Sequence, residues 1–91
     1  MIVKICGITL PYQAKEIGQY GADYIGVIMY PKSPRYVGIE RLKEIKNELE
    51  NSKLVAVVVN PLPEQVLELL NIVDIIQFHG DEKIEFIKNF P

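Results

Sequence analysis

The chain has 91 residues, 10 Lys and Arg against 12 Asp and Glu for a formal charge of −2, and 48% hydrophobic content. That length holds one domain, the composition is globular rather than disordered, and the lack of a strong positive field argues against nucleic-acid and anionic-membrane partners. A lone Cys6 excludes an intrachain disulfide, and with a single His the usual Cys/His zinc set is missing.

The longest apolar stretches, Leu54 to Val59 and Leu69 to Val73, fall far short of the roughly 20 residues of a membrane-spanning helix. Met1 leads straight into Ile2-Val3-Lys4-Ile5 with no basic leader, so a cytoplasmic protein is expected.

Ile2 to Ile8 is rich in β-branched residues and closes at Gly7 and Thr9-Leu10-Pro11, which predicts a strand feeding a helix. The helix is Pro11 to Gln19, with proline in its first turn and Gly21 placed as a C-terminal glycine. Ala22 to Tyr30 is apolar on both faces, as in strands covered on two sides. Two prolines make Pro31 to Tyr36 a loop. Ile39, Leu42, Ile45 and Leu49 then form a helical stripe over Ile39 to Leu49. Lys53 to Asn60 reads as a third strand, Pro63 to Leu70 as a third helix, Asp74 to His79 as a fourth strand and Glu82 to Asn89 as a short fourth helix.

Four βα units in series require a parallel sheet with right-handed crossovers. Composition leaves two folds open: a doubly wound sheet with helices on both faces, or a barrel segment with all helices outside. Strand parity adds that Lys4 and Cys6 share a face, as do Ile75, Gln77 and His79, with Ile76 and Phe78 on the other. Polar residues therefore gather near the C-terminal strand ends, where α/β proteins of both kinds keep their chemistry.

Cys6 is the side chain best suited to act as a nucleophile or base, against the alternative that free cysteines are commonly buried for packing. Arg35 suits a carboxylate, which it can hold by two parallel hydrogen bonds, or is a solvated loop residue. His79 is a packed, hydrogen-bonded ring or a ligand contact. Lys4, inside a sheet face, needs a partner or water. Asp81 reads as the cap of the last helix, and Asn60-Pro61 as a turn. No glycine-rich phosphate loop occurs.

Several blocks, in order, resemble the N-terminal part of the phosphoribosylanthranilate isomerase family of tryptophan biosynthesis. They are Lys4-Ile5-Cys6-Gly7-Ile8-Thr9, Gly21-Ala22-Asp23-Tyr24-Ile25-Gly26, Tyr30-Pro31-Lys32-Ser33-Pro34-Arg35-Tyr36-Val37, Val55-Ala56-Val57-Val58-Val59-Asn60-Pro61 and Ile76-Gln77-Phe78-His79-Gly80-Asp81-Glu82. The resemblance implies an α/β fold with residues 1–91 as a single half-barrel, (βα)4 of a (βα)8 barrel. It implies an Amadori rearrangement of N-(5-phosphoribosyl)anthranilate, with Cys6 in the general-base position, Arg35 holding the anthranilate carboxylate and His79 lining the pocket. No metal or organic cofactor is implied.

A complete family member is about twice as long. Its general acid, an aspartate, and its phosphate cradle lie on later strands, so this chain alone is expected to have negligible activity. A half-barrel leaves Ile75 and the inward valines of the third strand open, along with two bare strand edges. The expected partners are a second copy in a closed homodimer or a complementary C-terminal half-barrel chain. The alternatives are a non-enzymatic self-associating half-barrel module, or another small-molecule activity built on Cys6 and His79.

Overall fold

A computed structural model of the chain describes residues 2–80. Its elements run β1 (Lys4–Cys6), α1 (Pro11–Gln19), β2 (Tyr24–Ile28), α2 (Ile39–Glu48), β3 (Lys53–Val58), α3 (Pro63–Leu70) and β4 (Ile75–Phe78). The expected helix Glu82 to Asn89 and its Asp81 cap lie outside the described residues. Every other expected element is present, with strands shorter than their apolar runs. At β1 the cause is local: Gly7 takes φ +88° and the amides of Gly7 and Ile8 both turn onto the Gly26 carbonyl, at 3.0 and 3.2 Å. After β3 the chain turns at Asn60, φ 45°, a conformation that asparagine tolerates better than most residues.

The four strands are parallel in the order β1-β2-β3-β4. Ile25 and Val27 of β2, and Leu54, Ala56 and Val58 of β3, join one core with Ala14 of α1, Leu42 and Ile45 of α2, and Leu69 of α3. All three helices therefore cover one face. Sequential order with a constant crossover hand produces that result, and it excludes the doubly wound alternative.

Local chemistry sets the helix ends. Gly21, φ +100°, ends α1: its amide reaches the Gly18 carbonyl at 3.1 Å and the Ala22 amide reaches Ile17 at 3.3 Å, the paired bonds of a Schellman stop. Both α1 and α3 start at Leu-Pro-x-Gln. Gln13 Oε1 accepts from the Leu10 amide at 3.2 Å, and Gln65 Oε1 from the Leu62 amide at 2.8 Å. Proline meanwhile fills a helix position that needs no donor.

Side chains also fix register at the N-terminal strand ends. Asp23 Oδ2 accepts the Val3 amide and Asp74 Oδ2 the Leu54 amide, each at 2.8 Å. Buried Ser52 donates to the Ala22 carbonyl at 2.6 Å. In each case the residue just ahead of one strand holds the entry of the strand before it.

The face away from the helices differs from expectation in one respect. Ile75 is open at 40% exposure, but the inward valines Val55 and Val57 are buried, at 3% and 8%. They sit on the inner strand β3, with Val55 level with Gly26 and Ile75, and Val57 level with Ile28 and Gln77. On the same face Lys4 Nζ donates to Gln77 Oε1, joining the outer strands β1 and β4.

Candidate active site at the C-terminal strand ends

Cys6 is the last residue of β1, and its thiol is free and exposed. It is not buried in this chain. In register beside it on β2 is Gly26. A Cβ placed on Gly26 would come within 2.9 Å of Cys6 Sγ, so the thiol occupies the space that a larger residue there would fill.

Arg35 reaches the same place from the loop after β2. That loop folds back in tight steps: Ser33 N to Tyr30 O at 2.9 Å, Tyr36 N to Ser33 O at 3.1 Å, and Arg35 N to Ser33 Oγ at 3.1 Å. A bridge between Ile28 and Tyr36, with Val37 N on Ile28 O at 2.9 Å, pins its far end to β2. The Arg35 side chain then lies across Gly7, with Cδ and Nη1 each 2.9 Å from where a Gly7 Cβ would be. Two glycines thus make room for the Cys6 and Arg35 side chains, and Arg35 lies over the residue next to Cys6.

His79 follows β4. Its amide extends the ladder onto Val58 O at 2.8 Å, and the residue is exposed. It shares the rim with Cys6 but stands at the opposite edge of the sheet, three strand spacings away, about 14 Å if the sheet were flat. The structure brings Arg35 to Gly7, beside Cys6, and leaves His79 at the opposite edge of the sheet.

Lys4, two residues before Cys6 on the same face, is held by Gln77. Asp74, at the opposite end of the strands, has its pKa lowered, first by the Leu54 amide and further by Lys46, whose ammonium lies 3.1 Å away; partial burial opposes both. Among the described residues no group of three or more His, Cys, Asp or Glu could hold a metal ion, and no helix is long and apolar enough to cross a membrane. A cavity of about 300 Å³ between the ends of β2 and β3 and the helices α2 and α3 is lined by Met29, Tyr30, Tyr36, Asn60 and Gln65 among others. Cys6, Arg35 and His79 are not part of it.

The sequence reads Gly26 as a close-packing position, and Cys6 packs against it; the seat at Gly7 was missed, although a glycine just after a strand commonly marks the close approach of another group.

Parallel strands in sequential order with the helices on one side define one half of a (βα)8 barrel. Residues 3–91 match the family model for N-(5'phosphoribosyl)anthranilate (PRA) isomerase, and the chain belongs to that family. It is 79% identical over 91 residues to the N-(5'-phosphoribosyl)anthranilate isomerase of Sulfurihydrogenibium sp. (strain YO3AOP1), covering 100% of this chain and 45% of that one. The phosphoribosyl anthranilate isomerase structure from Thermotoga maritima superposes with a TM-score of 0.91 at 39% identity, over 98% of this chain and 45% of the other. A second isomerase structure, in complex with reduced 1-(o-carboxyphenylamino)-1-deoxyribulose 5-phosphate, gives 0.91 and 39%, over 98% and 48%. The chain therefore spans about half the length of these relatives.

Proposed function

We propose that this chain contributes the N-terminal half of a phosphoribosylanthranilate isomerase active site, in the cytoplasm, for the Amadori rearrangement of N-(5-phosphoribosyl)anthranilate. Cys6 is the general base that removes the C2′ proton once the furanose ring has opened to the Schiff base. Arg35 anchors the anthranilate carboxylate and His79 lines the opposite wall. The observation that carries this reading is the Arg35 side chain lying across Gly7: a carboxylate held there sets the rest of the substrate beside the thiol. No cofactor enters the reaction, which moves protons within one molecule.

The general acid and the phosphate cradle belong to the other four βα units of the barrel, in continuation of this polypeptide or on a second one. Mixing the chain with the C-terminal half of a family member, and following the loss of substrate fluorescence, tests the assignment. Turnover that appears on mixing and vanishes in Cys6→Ala supports it. Turnover indifferent to Cys6→Ala removes the base.

A non-catalytic reading, self-association of the half-barrel, is favoured by one observation. Ile75 is 40% exposed on the face that a closed barrel would enclose. Light scattering at micromolar concentration tests it: dimers support pairing of two halves, and a stable monomer opposes it.

A further inference from the structure

We propose that Gly26 is a positioning residue for the Cys6 thiol, its missing side chain being the seat that holds Sγ on the substrate side of β1. This rests on the reading of Cys6 as the base.

Three features place Gly26 in that role. It pairs in register with Cys6 on the neighbouring strand, so the two residues address the same face at the same height. A Cβ at residue 26 would lie 2.9 Å from Sγ and 3.3 Å from both Cα and Cβ of Cys6; the sulfur is the atom forced to move furthest, by rotation about its own Cα–Cβ bond. The Gly26 carbonyl also accepts the amides of Gly7 and Ile8, so the same residue fixes the backbone just after Cys6. No left-handed φ is recorded at Gly26, in contrast to Gly7 and Gly21. The requirement for glycine is therefore space for the thiol rather than backbone freedom.

The test is Gly26→Ala with two readouts. In the chain itself, iodoacetamide alkylation of Cys6 followed against pH is expected to change in rate by about fivefold or more with a displaced pH profile, because the already exposed thiol is turned out of its seat beside Gly26 into different surroundings. In the complemented enzyme kcat is expected to fall by about 100-fold, the scale of a 1 Å misplacement, with KM nearly unchanged because Arg35 is untouched. Alkylation unchanged in rate and profile overturns the proposal, and so does displaced alkylation with full turnover.

If Gly26→Ala does not fold, Cys6→Ala/Gly26→Ala decides. Without Sγ the double variant is expected to fold, with a Tm within about 4 °C of that of Cys6→Ala. A double variant that likewise fails to fold overturns the seat. Full turnover in Cys6→Ala would instead sink the base assignment, and alkylation of Gly26→Ala would still decide the geometry.

Discussion

Lys4 of β1 donates a hydrogen bond to Gln77 of β4, side chain to side chain, although two strands lie between them. Such a contact between the outer strands requires the sheet to be strongly curled, on the face that also carries Val55 and Val57. It also answers the need of a lysine inside a sheet face for a polar partner.

The bond is between exposed groups and its contribution is modest. Lys4→Ala and Gln77→Ala are each expected to destabilise by about 1 kcal/mol or less, with a coupling near 0.5 kcal/mol in the double-mutant cycle. Urea denaturation of the four proteins measures this. Zero coupling would mean that the bridge does not persist in solution.

Asp74 supplies the acid-sensitive link in the fold. Its carboxylate accepts the Leu54 amide and lies beside Lys46, and its pKa is held below the ordinary aspartate value. A depressed folded-state pKa adds stability that is present above the unfolded value, near 3.9, and is lost as pH falls through the folded one. The exposed Lys46 pair adds little, so most of the effect belongs to the amide bond. Asp74→Asn is expected to cost about 1 kcal/mol at pH 7 and progressively less below pH 4, read as Tm against pH. A constant difference down to pH 2 would show that the charge is not responsible.

The strand and helix order was legible because apolar runs and proline or glycine breaks coincide with element ends. The faces of Lys4, Cys6 and Gln77 followed from the two-residue period of a strand. Curvature was not legible: nothing within one strand tells that Val55 and Val57 will be shielded while Ile75 is open. Asp23 and Asp74 escaped notice for a related reason. Their partners, Val3 and Leu54, are each 20 residues away, and a carboxylate that holds a neighbouring strand's amide leaves no periodic trace. Arg35 was legible as a loop cation, but its meeting with Gly7 depends on how the loop folds back over the end of β1.

Arg35→Lys tests carboxylate anchoring in the complemented enzyme. Lysine keeps the charge but loses the planar fork, and the stem that lies across Gly7 ends in a single donor group. KM is expected to rise about 10-fold with kcat less affected, and Arg35→Ala to raise KM by roughly 100-fold, as for loss of a charge-assisted hydrogen-bond pair. Steady-state kinetics in the substrate separates the two constants. A fall in kcat alone would move Arg35 from binding to the chemical step.

Ile75→Asp probes what lies against the open face. Ile75 is 40% exposed and level with Val55 on the side away from the helices, so a charge there stays hydrated in an isolated half-barrel and disturbs the helix-side core very little. In a closed barrel the same position becomes enclosed, and an unpaired carboxylate would then be buried at a cost of several kcal/mol. The substitution is therefore expected to leave the chain's urea midpoint nearly unchanged while weakening association with either a second copy or a C-terminal half by at least about 100-fold, read by light scattering and by titrating turnover. If association survives intact, Ile75 remains in contact with water after the partner binds, and the partner must meet the strand edges without closing over this face.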